Sequence, residues 1–144
     1  MTGATMYATT TPLRAAAAPG ASARRTGLAM TGLVVLFLLF DGSIKLAGLD
    51  IVRETSVQLG LNPAHSFGLG VLTLLIALLY AVPRTAVLGA ILLTGLLGGA
   101  IATHLRVGSP VFSHLLFGVY IGLLAWGGLW LRDERLRSML PVRR

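Results

Sequence analysis

The chain has 144 residues, 55% of them hydrophobic and only 12% charged, with a mean hydropathy of +0.81. A soluble domain carries about 25% charged residues, so water is excluded as the solvent for most of this chain and a bilayer takes its place. The net charge is +7 and there is no cysteine, which rules out disulfides, thiolate chemistry and cysteine-held metal clusters.

Residues 1–26 are rich in Thr and Ala, carry Arg14, Arg24 and Arg25, and lack apolar periodicity. That composition predicts a disordered basic tail. Arg24-Arg25 ahead of an apolar run superficially matches a secretory or twin-arginine signal. The run, however, lasts a full span, and no small-residue cleavage site follows it. It is read as a first membrane helix over 28–48, because about 20 apolar residues cross the hydrocarbon core. The connection 49–61 carries Asp50, Arg53 and Glu54 among apolar residues. It is expected either as a short interfacial helix ended by Gly60, lying over the bundle like a lid, or as an irregular loop.

The second span is predicted over 63–82, opened by Asn62 as the cap and Pro63 at the first helical position. The brief turn Val82-Pro83-Arg84 makes the third span, 85–105, its antiparallel neighbour. Ser109-Pro110 repeats the cap-and-proline signal and opens the fourth span, 110–131. A basic polar tail over 133–144 closes the chain. The expected fold is therefore all-α: one membrane domain, 27–132, built as a four-transmembrane-helix bundle between two basic tails.

Four spans bring both termini to one side. Arg14, Arg24, Arg25, Arg84, Arg132, Arg135, Arg137, Arg143 and Arg144 lie on that side; Lys45, Arg53 and Arg106 lie on the other. Basic residues concentrate in cytoplasmic loops, so both termini are expected in the cytoplasm and the chain in a cytoplasmic (plasma) membrane. The same distribution argues against nucleic acid, since no basic stripe with interleaved aromatics tracks a strand.

Helices in lipid associate through close packing, which favours small residues on contact faces. Gly95 and Gly99 form one G-x-x-x-G pair and Gly118 and Gly122 another. They are expected to pack spans three and four together or against span one, with pairing between protomers as a second use. Trp126, Trp130 and Arg132 have the composition of an interfacial anchor.

Polar groups gather at the end of the bundle away from the termini. Asp41 and Lys45 end span one, His65 begins span two, His104 closes span three and His114 lies one turn into span four. Asp41 and Lys45 stand four apart, acid first, the order that favours an ion pair. A charge at this depth should face the interior and find a partner. These five residues are the candidate ligand-binding set, read against a plain alternative of an architectural ion pair and boundary histidines making ordinary hydrogen bonds. The three histidines could hold a metal with Asp41 or Glu54 as fourth ligand, supply two axial ligands to haem, or hydrogen-bond a quinone head group. No short i, i+4 histidine motif is present. On the ligand reading, His65 and His114 serve the same guest. No nucleophile–base pair, G-x-S-x-G elbow, H-E-x-x-H motif or phosphate-cradling glycine loop is legible, so no catalytic residue is assigned.

The chain resembles the DoxX-like family of small four-helix bacterial membrane proteins. The resemblance lies in Phe40-Asp41-Gly42-Ser43-Ile44-Lys45-Leu46, which carries the G-x-x-K-L ending of the first span, and in Leu59-Gly60-Leu61-Asn62-Pro63. It continues through Ala90 to His104, Pro110-Val111-Phe112-Ser113-His114 and Trp126 to Asp133. The resemblance implies a link to a thiosulfate:quinone oxidoreductase, whose membrane subunit gave the family its name, to oxidative-stress complexes, or to assembly of other membrane proteins. Many relatives carry an acidic residue in span two; here Gly68-Leu69-Gly70-Val71-Leu72 is apolar.

Two functions of different class follow as expectations. One is a redox-linked membrane subunit that binds a quinone or similar small molecule at the polar cluster. The other is a non-catalytic helper that holds a membrane-protein partner, or a second copy of itself, through its glycine stripes. A small exporter or channel ranks third, because no polar stripe runs through the termini half of the spans.

Overall fold

The computed structural model describes residues 20–139. The stretch 1–19 of the expected N-terminal tail, and 140–144 of the C-terminal one, lie outside the described residues. Six helices follow in chain order: α1 (Ala21–Leu46), α2 (Asp50–Gln58), α3 (Ser66–Ala81), α4 (Ala86–Arg106), α5 (Leu116–Arg132) and α6 (Glu134–Met139). A 3₁₀ turn, Pro63–His65, leads into α3, and a π-type turn, Val111–Leu115, leads into α5.

Among the described residues, four segments are long and apolar enough to cross a membrane: Ala21–Leu46, Pro63–Ala81, Ala86–Arg106 and Val111–Arg132. They match the four expected spans. α1 begins at Ala21, ahead of the expected start at 28, so its first turns carry Arg24 and Arg25. α1 packs on α3 and α5, and α4 packs on the same two. The helices thus form a square in which α1 lies diagonal to α4 and α3 diagonal to α5.

Val34, Leu38, Ile76, Leu93, Ala125 and Leu129 meet in the core. Tyr80 is fully buried there. Its hydroxyl donates to the carbonyl oxygen of Ala125 at 2.8 Å and joins α3 to α5 across the diagonal. The outer surface is apolar instead of polar: Leu36, Phe40, Leu78 and Leu123 are all exposed. Such continuous exposed apolar surface belongs against lipid.

The close helix contacts use small residues, as packing in lipid requires, but only some of those expected. A Cβ on Gly42 would stand 2.7 Å from Leu74 Cγ, and one on Gly70 would stand 3.0 Å from Gly42 O, so α1 and α3 touch at backbone distance. Gly27 and Gly128 do the same for α1 and α5, where a Cβ on Gly27 would stand 2.8 Å from Gly128 O. Gly118 of the expected pair faces Ile101 of α4, and Gly122 packs more loosely, where an added Cβ would stand 3.8 Å from Leu97 Cδ1. Gly95 and Gly99 correct the expectation: nothing lies within 4 Å of a Cβ built on either. They occupy the outward face of α4 and pack no helix within the bundle.

Trp126 also differs from a simple anchor, because its Nε1 donates to Thr94 Oγ1 at 3.0 Å and ties α5 to α4. Trp130 keeps the end position, with the Arg137 guanidinium 4.9 Å above its ring.

The connection 49–61 forms helix α2, followed by Gly60 at φ +65°, a backbone conformation that glycine adopts without strain. Val52 and Ser56 are its buried residues. Ser56 Oγ lies 3.0 Å from Ser66 Oγ at the start of α3, and Arg106 donates to Leu59 O at 2.7 Å from the end of α4. The helix is therefore held along α3, beside the bundle's loop end.

Candidate functional site

The polar residues singled out in the sequence all reach the loop end of the bundle, but they form two groups. In the first, Lys45 Nζ donates to Asp41 Oδ2 in a salt bridge. The pair lies one turn apart on α1, as the spacing dictates. Both side chains are about three-quarters covered. Gly42, between them, is buried against α3, and a Cβ on Gly70 would meet Lys45 Cβ at 3.0 Å. Lys45 thus continues the face of α1 that carries Val34, Leu38 and Gly42.

The second group is the pair His104 and His114, from α4 and the π turn before α5. Their ring centroids lie 5.3 Å apart, with the planes tilted by 57°. Each ring is oriented by a serine hydroxyl: His104 Nδ1 lies 3.0 Å from Ser109 Oγ, and His114 Nδ1 lies 2.7 Å from Ser113 Oγ. A hydroxyl can give or take this hydrogen bond, so either tautomer is served. The Nε2 atom of each ring makes no hydrogen bond among the described residues.

Local sequence explains the pairing. Ser109 was expected to cap the fourth span; its hydroxyl instead bonds His104, and no side chain caps the turn that follows. Pro110 stays non-helical at φ −55°, ψ 129°, so the span opens at Val111. Over the next five residues the chain takes the wider π geometry, with Leu116 N–H donating to Val111 O. One-turn π segments inside helices recur at functional sites. Here the turn carries Ser113 and His114 against the end of α4.

The two groups share a depth. Phe37 of α1 and Phe117 of α5 meet edge to face at 5.2 Å. Asp41 follows Phe37 by four residues and Ser113 precedes Phe117 by four. In antiparallel helices each therefore lies about one turn, roughly 6 Å, nearer the loop end. No hydrogen bond joins the ion pair to either imidazole.

His65 stands apart. It ends the 3₁₀ turn and is exposed. A 3₁₀ turn advances the chain with 3.0 residues per turn instead of 3.6, so positions counted for a regular helix fall on a different side. Asn62 does cap this turn as expected, accepting from Ala64 N–H at 2.9 Å. Among the described residues no three His, Asp or Glu side chains come close enough together to hold a metal ion. The expected three-histidine set is therefore not assembled, and Glu54 lies exposed on α2.

The imidazole pair is open on one side: His114 is exposed and Phe112, two residues before it, is 80% exposed. Two ring nitrogens beside a lipid-facing aromatic can hydrogen-bond a lipophilic molecule that approaches sideways from the bilayer.

The sequence profile of the DoxX-like family matches residues 29–128. The chain belongs to the DoxX-like family. The match begins inside α1 and ends near the close of α5, so it contains the ion pair and all three histidines of this DoxX-like protein. No curated protein and no solved structure matches the chain.

Proposed function

We propose that this DoxX-like protein is a redox-linked membrane subunit that binds a quinone or similar lipid-soluble carbonyl compound beside His104 and His114. The observation that carries this reading is the imidazole pair at 5.3 Å, with both Nδ1 atoms engaged and both Nε2 atoms without a hydrogen-bond partner among the described residues. An Nε2–H donates to a carbonyl oxygen, and an unprotonated Nε2 accepts a proton when a quinol is oxidised. Electrons would pass to or from a redox partner. In a plasma membrane with the termini in the cytoplasm, as the basic-residue asymmetry favours, the site opens on the outer leaflet.

The test is to release the protein in mild detergent and identify co-purifying isoprenoid by native mass spectrometry and solvent extraction. A stoichiometric quinone that is lost in His104→Ala and His114→Ala supports the reading. A bare protein after gentle release contradicts it.

A second reading, a non-catalytic helper, draws on a different observation. Gly95, Gly98 and Gly99 line the outward face of α4 with open space above each. Small residues facing lipid let another helix approach closely. On this reading Gly95→Leu abolishes a stable complex without unfolding the bundle.

A further inference from the structure

The end of the bundle that carries the termini holds a cleft of about 440 Å³, remote from the histidines. Arg24 of α1, Arg132 of α5 and Arg135 of α6 line it. Its apolar walls are Leu28, Pro83 and Leu129. A second depression, sharing Pro83, Asp133 and Arg135 with the first, adds Arg84.

The cleft lies where the membrane spans stop. The apolar spans end at Ala81 and Arg132 and restart at Ala86, while Arg24 stands one turn before Leu28 on α1. Arginines and apolar side chains thus meet at headgroup depth. Two acids also line the cleft, Asp133 and Glu134. Asp133 is engaged: its Oδ1 accepts from the backbone N–H of Arg135 at 2.9 Å and of Leu136 at 3.3 Å. Arg132 is held in place by a hydrogen bond to Tyr80 O at 3.4 Å and by lying 5.9 Å above the Tyr80 ring. Arg24 and Arg84 make no side-chain hydrogen bond or ion pair among the described residues.

We propose that this cleft binds the phosphate-bearing headgroup of an anionic phospholipid. The guanidinium fork matches phosphate oxygens in pairs, and basic pockets between membrane helices are a recurring site for such headgroups. The apolar walls favour a lipid over a soluble phosphate, because Leu28, one turn deeper than Arg24 on α1, extends the site toward the acyl chains.

Native mass spectrometry of the full chain in mild detergent tests the assignment, with phosphatidylglycerol and phosphatidylcholine of the same acyl chains as probes. Phosphatidylglycerol is expected to bind about fivefold more tightly for each arginine engaged, and Arg24→Gln to lose about that factor. Arg24 is exposed on the first turn of α1, where Gln sustains the helix, so the fold survives. Arg53→Gln, at the opposite end of the bundle, should leave binding unchanged. Equal retention of the two lipids, or unaltered phosphatidylglycerol binding in Arg24→Gln, overturns the proposal. Displacement of the lipid by millimolar inorganic phosphate overturns it in favour of a soluble phosphate ligand.

Discussion

The Tyr80 hydroxyl donates to the Ala125 carbonyl at 2.8 Å, a buried bond between two helices that are diagonal in the bundle. Helices on a diagonal share little side-chain contact, so this bond and the Arg132 guanidinium on the Tyr80 carbonyl connect α3 to α5 directly. Removing the hydroxyl alone, in Tyr80→Phe, should lower stability by about 1 kcal/mol. Thermal unfolding in detergent checks this. An unshifted transition would show that the bond contributes nothing net.

The glycines separate into two classes with opposite responses. A Cβ on Gly89 would stand 2.6 Å from Tyr80 Cα, so Gly89→Ala pushes α4 away from α3. A cost of about 1–3 kcal/mol is expected for such overpacking. Gly95→Ala has open space and should leave the melting temperature unchanged or higher, because Ala favours the helix. Equal destabilisation by both would contradict the packing described.

Much of the fold was legible in the sequence, for a physical reason: spans of about 20 apolar residues are dictated by the bilayer and leave few alternatives. Asn62-Pro63 marked a true start because Asn62 caps locally. Ser109-Pro110 looked the same, yet the Ser109 hydroxyl bonds His104, a choice made by tertiary proximity that no local pattern encodes. The spacing of Gly95 and Gly99 placed them on one face of a helix but could not say which way that face turns. The contact of Gly27 with Gly128 was missed, although Gly27 and Thr31, one turn apart, offered the small-residue signal for it. At the site, the pairing of Asp41 with Lys45 follows from their spacing, whereas the pairing of His104 with His114 and the exclusion of His65 depend on a π turn and a 3₁₀ turn that apolar periodicity does not announce.

The anchoring of α2 can be tested without touching the core. Arg106→Ala removes the bond to Leu59 O and should raise amide hydrogen exchange across 50–58 while leaving the melting temperature of the bundle nearly unchanged. Exchange at the wild-type rate would mean that the Ser56–Ser66 contact and Val52 suffice to hold the helix.

The ion pair invites a charge-balance experiment. Asp41→Leu leaves Lys45 without its partner at the membrane boundary and should destabilise the bundle. The double variant Asp41→Leu/Lys45→Leu should recover stability, since a covered pair is costly to break but can be replaced by apolar groups. Failure of the double variant to recover would show that the pair does more than neutralise itself.

His104 and His114 are proposed to act together on one lipophilic guest. Titration of a short-chain quinone into the detergent-solubilised protein, read by isothermal titration calorimetry, tests it most directly. Saturable binding is predicted, weakened about three- to tenfold by His104→Ala and by His114→Ala, as loss of one hydrogen bond implies. His65→Ala, outside the pair, should retain wild-type affinity. Wild-type affinity in both His104→Ala and His114→Ala would contradict the account.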